Sequence, residues 1–371
     1  MSARRIASCT LPIALAACAH SEPFGNRSTN LDSTLTAGAQ RQLTYNVGTD
    51  RSPAWSTDGA TIFYSYEDVF RTDRDRCLAA LPATGGTIRR FACNRSLASQ
   101  DTTDVFEEPA PAADRHLLLV RSASPPGSIN FAQSSLVLAT QADATTGTLV
   151  RSLPFVSSTG KPHSAIRQIR WLSPTRAVYL GQHLGFPRPC GRCPADTVGI
   201  PLEVMLVDRS GAVPTVTPLP NTSDITSLSA GAGADAFFYT VIGDSVVYKR
   251  TISTGATDTV YSFSGLGIAR DVSVVGTRML AIVGGRVKDS LDPLWGRFQY
   301  DVAGALYDVD LTRGIANVDF VFDMMFRRPA LNPSGRSAVA EGYPTIITDC
   351  GINCRDTTIS KLADLWLFDL P

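Results

Sequence analysis

The sequence predicts an all-β fold, a β-propeller in which repeated four-stranded sheets form a closed ring. Residues 53–64, 109–120 and 329–340 share one pattern, in which a short strand, a tight turn with Asp or Asn and a second apolar strand follow one another. A supersecondary unit that recurs along a chain is the signature of a repeat architecture. Strand patterns recur between these segments without a long helical periodicity, which favours the all-β class.

The repeated units have the spacing of propeller blades. Their starts separate by 44 to 59 residues, and four strands with their loops need about 40–60 residues. We therefore expect six four-stranded blades, with five or seven blades as the alternatives because the fourth unit is short. The unit starts are residues 53, 109, 168, 226, 270 and 329.

The two ends of the propeller region predict how the ring closes. The sixth unit stops at Asp369-Leu370-Pro371, directly after its third strand, so it lacks an outer strand. Residues 39–44 precede the first unit and have the pattern of a strand without a blade of its own. Pairing residues 39–44 with Leu365–Leu370 would complete the sixth blade and cover an exposed sheet edge.

The turns resemble the WD40-like repeats of the TolB family. The resemblance rests on Pro53-Ala54-Trp55-Ser56-Thr57-Asp58-Gly59, with Leu81-Pro82-Ala83-Thr84-Gly85-Gly86-Thr87 and Arg41-Gln42-Leu43-Thr44. It extends over residues 38–371 and is strongest in the first and sixth units. TolB proteins also carry an N-terminal mixed domain, whereas only a tether precedes the blades here. The resemblance therefore implies the propeller fold alone.

The N-terminal segment has the pattern of a bacterial lipoprotein signal. Arg4 and Arg5 precede a short apolar run over residues 6–17, which is too short to span a bilayer. Leu15-Ala16-Ala17-Cys18 matches a lipobox, in which the cysteine is lipidated and becomes the first mature residue. We expect a signal peptide at 1–17, a lipidated Cys18 with a flexible tether at 18–37, and a propeller at 38–371.

The N-terminal segment predicts a cellular location, and the charge balance limits the classes of partner. Ala19 rather than Asp follows Cys18, which indicates retention in the outer membrane, facing the periplasm or the surface of the cell. The 34 Lys and Arg residues balance the 34 Asp and Glu residues, so the formal net charge is zero. The sequence contains no basic stripe that would indicate a nucleic-acid partner. We expect a monomer that contacts the membrane only through its lipid anchor and that uses no cofactor or metal.

The remaining cysteines form three local pairs along the chain. Disulfides persist in exported proteins, so we expect bridges within these pairs, although six cysteines allow 15 pairings. Two alternatives remain for the second pair, which forms a CxxC motif. It is redox-active, or it binds zinc together with the third pair. The pairs are Cys77 with Cys93, Cys190 with Cys193, and Cys350 with Cys354.

Long insertions are expected on one face of the ring, at the connections between second and third strands. They fall at 68–76, 123–133, 183–202, 286–302 and 345–363, and loops on a rigid scaffold are where binding concentrates. The first residues of the inner strands would surround the channel mouth on this face, either to orient a ligand or to pair charges between blades. They are Arg51, Glu108, Arg167, Asp224, Asp271 and Arg328.

The sequence favours a binding module over an enzyme. It contains no Gly-x-Ser-x-Gly elbow and no phosphate-binding Gly-rich motif between a strand and a helix. We expect an envelope lipoprotein that binds a protein, peptide or glycan on the face with the insertions. The alternatives are a structural spacer and a hydrolase or lyase with a polar or Ca²⁺-containing site. The candidates for that enzyme site are Glu108, His163, His183, Asp271 and Glu341.

Overall fold

The computed structural model describes only part of the chain, and the described residues form strands and connections without a helix. No helix among them is therefore long and apolar enough to cross a membrane. The described ranges are 40–45, 48–67, 76–93, 95–97, 102–123, 133–140, 151–153, 163–183, 202–231, 233–292, 297–319, 324–349, 355–359 and 362–370. Cys18, Cys190, Cys193, Cys350 and Cys354 lie outside them.

Strand pairing groups the described strands into antiparallel units of four. The first unit is β2 (Thr49–Trp55), β3 (Thr61–Glu67), β4 (Arg76–Pro82) and β5 (Arg89–Phe91). The second is β7 (Thr102–Pro111), β8 (His116–Ala123), β9 (Gln133–Thr140) and β10 (Arg151–Ser152). The third is β11 (His163–Trp171), β12 (Arg176–His183), β13 (Leu202–Asp208) and β14 (Thr215–Pro218).

Two further units have the same order, and the sixth combines both ends of the chain. The fourth is β15 (Ile225–Ser229), β16 (Ala236–Val241), β17 (Val246–Thr251) and β18 (Thr257–Ser262). The fifth is β19 (Ile268–Val275), β20 (Arg278–Asp292), β21 (Arg297–Asp310) and β22 (Ile315–Asp319). The sixth is β23 (Met324–Leu331), β24 (Ser337–Asp349), β26 (Asp364–Asp369) and β1 (Gln40–Gln42).

The pairing of β1 with β26 is the one expected from the sequence. The two strands run antiparallel, with Gln40 opposite Phe368 and Gln42 opposite Trp366. Side chains extend this contact, because the Gln42 amide donates to the Asp364 carboxylate at 2.8 Å. Backbone ladders thus join residues that are more than 300 positions apart in sequence, which ties the last unit to the start of the propeller region.

The hydrophobic core consists of separate layers between neighbouring units. Six clusters of buried side chains join units one and two, two and three, three and four, four and five, five and six, and six and one. The cluster between units six and one packs Trp55 and Tyr64 against Val339 and Leu367. A continuous ring of layers explains why the strands are apolar on both faces.

Strand β8 shows how one sequence serves two layers. Successive side chains of a strand point to opposite faces, so alternate residues reach different neighbours. Leu117 and Leu119 pack in the layer with unit one, whereas Leu118 and Val120 pack in the layer with unit three. All four are fully buried, which accounts for a continuous apolar run where a one-sided sheet would alternate with polar residues.

Two strands lie outside the six units. β6 (Arg95–Leu97) pairs with β7, and β25 (Arg355–Ile359) pairs with β24 and contacts β20 in parallel. The insertion expected at 286–302 lies largely within β20 and β21, whose antiparallel pairing continues to Asp292 and Arg297. Units five and six therefore share strand pairing at the end of the ring that carries this insertion.

The described cysteines confirm one of the expected disulfide bridges. Cys77 on β4 is bonded to Cys93, which follows β5.

The inner strands begin four to seven residues before the predicted unit starts at Pro53 and Pro109. Proline lacks an N–H and marks a bulge within each strand rather than its beginning.

Closure by β1 predicts unequal effects of two N-terminal deletions. Removal of residues 38–44 exposes the edge of β26 and deletes the Gln42–Asp364 hydrogen bond, so we expect a lower melting temperature by several degrees. Removal of residues 19–36, which leaves β1 intact, serves as the matched control and should keep the melting temperature within about one degree. Calorimetry that gave equal losses for both deletions would contradict closure through β1.

Candidate functional site: the cavity on the ring axis

The inner strand of every unit is interrupted by a bulge. The register shifts between Arg51 and Ala54 in β2, and equivalent shifts occur in β7, β11, β15, β19 and β23. In four of these bulges a non-glycine residue adopts a left-handed backbone, a conformation that costs about 1–3 kcal/mol each. These residues are Ser52, Glu108, Gln168 and Arg328, with φ between 47° and 55°.

Each left-handed residue directs its N–H to a side-chain acceptor of another unit or strand. The Ser52 N–H donates to Glu341 at 2.6 Å, and the Gln168 N–H donates to Glu108 at 3.0 Å. The Arg328 N–H donates to Asp271 at 3.0 Å in the same way. Three buried carboxylates therefore accept hydrogen bonds from backbone groups of the adjacent unit, which offsets the strain of the bulges.

The Arg328 guanidinium lies among these carboxylates. Its Nη1 donates to Glu108 at 2.6 Å and also contacts the Ser52 hydroxyl, while its Nε lies 3.7 Å from Glu341. The neighbouring carboxylates outweigh the desolvation of the group and raise the pKa of Arg328. Because Arg328 belongs to unit six and Glu108 to unit two, the ion pair crosses the ring.

Unit three is connected to unit five through Gln168. The side-chain amide nitrogen of Gln168 donates to Asp271 at 3.1 Å, and its oxygen accepts the Leu228 N–H at 2.8 Å. Arg270 adds a second donor to Asp271 at 3.2 Å. Residues from all six units thus take part in one network of hydrogen bonds around the axis.

A polar cavity of about 370 Å³ lies above this network. Glu67 and Arg76 are part of its wall and lie at the two ends of the insertion predicted at 68–76, so the cavity lies toward the face that carries the long insertions. Five of the six residues expected at the channel mouth line it, which brings together side chains from units one, two, three, five and six. They are Arg51, Glu108, Arg167, Asp271 and Arg328.

Asp224 is the one expected mouth residue that does not line the cavity. It lies on an exposed turn before β15, and its backbone oxygen accepts the Ile242 N–H. The bulge of β15 contains Thr226 instead, whose backbone oxygen accepts hydrogen bonds from Gln168 and Arg270. The unit start predicted at residue 226 coincides with this bulge, whereas the choice of the charged Asp224 as the mouth residue was two residues too early.

Sequence reasoning missed several residues of the cavity wall. Glu107, Arg270 and Arg327 lie beside expected residues in the chain, and Tyr343 donates its hydroxyl proton to Glu341 at 2.6 Å. The dipeptides Ser52-Pro53, Glu108-Pro109 and Arg328-Pro329 mark three of the left-handed bulges, so the residue before proline was an available signal. Gln168 precedes isoleucine and gave no such signal.

The residues weighed as an enzyme site do not all meet. Glu108, Asp271 and Glu341 line the cavity, but His163 is buried in unit three, where its Nε2 lies 2.7 Å from Glu203. The side chain of His183 lies outside the described residues. Among the residues that the structure describes, no group of three His, Cys, Asp or Glu side chains is arranged to hold a metal ion.

Adjacent carboxylates in the second unit have opposite pKa shifts. Burial alone would raise the pKa of Glu108, but Arg328, the Gln168 N–H and the Ser52 hydroxyl outweigh it and lower the net pKa below 4.5. Desolvation and repulsion from Glu108 raise the pKa of Glu107 above 4.5, although the Ser122 hydroxyl donates to it at 3.1 Å. The cavity therefore holds one stabilised and one destabilised negative charge side by side.

Comparison with known proteins supports the fold. A gluconolactonase from Xanthomonas campestris is 12% identical, with 90% of both chains covered and a TM-score of 0.52. A luciferin-regenerating enzyme is 9% identical over 90% of this chain and 95% of its own, with a TM-score of 0.51. TolB from Acinetobacter baumannii is 15% identical over 84% of this chain and 67% of its own, with a TM-score of 0.49.

The chain is a β-propeller. At these identities the similarity concerns the fold alone, and the activities in those names belong to those proteins. No family model matches the sequence, and no curated protein matches it.

The pKa shifts predict opposite pH dependence for Glu107→Gln and Glu108→Gln. The native pKa of Glu108 is lowered, so its contribution to stability is present above the unfolded pKa and disappears as the pH falls through the native value. Glu108→Gln should therefore destabilise most at pH 7–8. The native pKa of Glu107 is raised, so its ionisation opposes folding as the pH rises, and Glu107→Gln should gain stability relative to wild type between pH 4 and 8.

Urea unfolding of the two variants across this pH range provides the measurement. Each variant serves as the control for the other, because the substitutions are the same and the positions are adjacent. Stability differences from wild type that changed with pH in the same direction for both variants would contradict the assigned electrostatics.

Proposed function

We propose that this protein is a ligand-binding module of the bacterial cell envelope, built on a six-bladed ring that β1 closes. It binds a protein, peptide or glycan on the face that carries the insertions. The cavity lined by the axial network is the observation that carries this proposal, since its wall includes residues at both ends of one of the insertions and charged side chains from five units. Cavities of this size are within the range of ligand sites, about 300–1,000 Å³.

The hydrogen bonding of the carboxylates favours binding over catalysis. Glu108 already accepts from the Gln168 N–H, the Ser52 hydroxyl and Arg328, and Asp271 accepts from three donors as well. A general base needs a lone pair free for the proton of the substrate. The bulges and the ion pair use three of about four lone-pair sites on each of these two carboxylates, which favours a role in fixing the shape of the cavity.

A rigid wall suits a binding function. The cavity residues lie on strands whose positions are fixed by ladders and by the network across the axis, so little conformational entropy is lost when a ligand binds. The envelope location rests on Leu15-Ala16-Ala17-Cys18 and the short apolar run before it. Lipidation of Cys18 would place this rigid surface at a membrane, and several acyl chains suffice for stable anchoring.

Photo-crosslinking in the bacterium that produces the protein tests the binding face. Ile242 and Val213 are matched positions, because both are apolar and their exposed fractions are 59% and 61%. Ile242 follows the second strand of its unit, as the cavity-flanking insertions do, whereas Val213 lies between a third and a fourth strand, at the opposite face. A photoreactive residue should yield a discrete adduct at position 242 and none at position 213.

Adducts of equal yield at both positions, or at neither, would contradict a binding face. Cys18→Ser in the same cells tests the anchor, since loss of the acyl chains should move the protein out of the membrane fraction. Unchanged membrane fractionation of Cys18→Ser would contradict the lipoprotein assignment and leave the assignment of the face to the crosslinks.

A further inference from the structure

The cavity contains more positive than negative side chains. Six guanidinium groups line it, against five carboxylates. The guanidinium groups belong to Arg51, Arg76, Arg167, Arg270, Arg327 and Arg328. Their individual contacts decide where this excess of positive charge lies.

The carboxylates are occupied by groups other than Arg167. Glu67 accepts from Arg76 at 2.9 Å, and Glu107 accepts from the Ser122 hydroxyl at 3.1 Å. The remaining three belong to the axial network described above, in which Arg328 and Arg270 supply the positive charge. Arg76, Arg328 and Arg270 thus balance part of the negative charge of the wall, whereas Glu107 is bound only by a neutral hydroxyl.

Arg167 makes no direct ion-pair contact within the described part of the chain, although the charges of Glu108 and Glu107 act on it from nearby. Its side chain is exposed, and none of the described residues forms a hydrogen bond or an ion pair with its guanidinium. The walls of the cavity surround it nonetheless, so desolvation and repulsion from Arg328 lower the pKa of Arg167. Attraction by Glu108 and Glu107 does not outweigh these effects, so an anion placed beside this exposed guanidinium would stabilise its charge.

Arg51 occupies the equivalent place in another unit. Arg51 and Arg167 each immediately precede a left-handed residue, Ser52 and Gln168, and both side chains are exposed. Arg167 is near Glu108 and Glu107, whereas the carboxylates that act on Arg51 are Glu341 and Glu67. A guanidinium presents parallel N–H donors that match the two oxygens of a carboxylate or phosphate group.

We propose that Arg167 binds an oxyanionic group of the ligand, a carboxylate or a phosphate, within the axial cavity. This inference rests on the proposed binding function and adds the chemical class of the group that enters. The anion lies against Arg167 on the side toward Arg51, and the axial carboxylates stay bound to Arg328 and to the bulges. Affinity is electrostatic in large part and falls as salt concentration rises.

Isothermal titration of the full-length protein in detergent tests this site. The probes are glutarate, inorganic pyrophosphate and the neutral glutaramide, each at low and at physiological salt. We expect saturable binding of glutarate or pyrophosphate, none of glutaramide, and a loss of at least tenfold in Arg167→Gln. Arg336→Gln, an exposed arginine on the turn between β23 and β24 at the opposite end of the unit, should stay within twofold of wild type.

The outcomes separate this site from the general function. Binding of glutarate alone identifies a carboxylate, and binding of pyrophosphate alone identifies a phosphate. The oxyanion site is overturned if neither anion binds, if glutaramide binds equally well, or if Arg167→Gln binds like wild type. If it is overturned while the crosslink at position 242 persists, the binding face stands without an anion site; if that crosslink is also absent, both proposals fail.

Discussion

Unpaired backbone N–H groups on the inner strands are the constraint on which the centre of the molecule depends. No inner strand pairs with another inner strand in the described ladders, so the N–H groups that face the axis need other acceptors. Left-handed bulges at Ser52, Glu108, Gln168 and Arg328 turn these groups toward side chains of other units or strands. The bulges cost backbone strain, and short hydrogen bonds to carboxylates offset it.

The electrostatics of the site follow from the use of carboxylates as acceptors for these N–H groups. Carboxylates are strong acceptors, but three of them near one axis bring negative charge into a partly desolvated space. The Arg328 guanidinium supplies the compensating charge and connects units two and six. Arg167 feels these charges but forms no hydrogen bond or ion-pair contact with the described residues, which is why we propose it as the side chain that meets a ligand.

The sequence predicts features that depend on local pattern and fails where register depends on the ring. Repeated turns predicted the units, and the leftover strand predicted the contact between Gln42 and Trp366. Charged residues at the bulges located five of the residues that line the cavity. The sequence did not single out Thr226 and Gln168, because neutral polar residues carry no distinctive pattern. Their roles appear only in the fold, where they come within hydrogen-bonding distance of groups from other units.

A double-mutant cycle between Arg328→Met and Glu108→Gln measures the axial ion pair most directly. Denaturant unfolding at pH 7 should show that each single substitution costs about 3–5 kcal/mol, as expected when a buried pair loses one partner. The double variant should cost less than the sum, with a coupling energy above about 1 kcal/mol. Additive losses, within about 0.5 kcal/mol, would contradict an ion pair that holds the ring together.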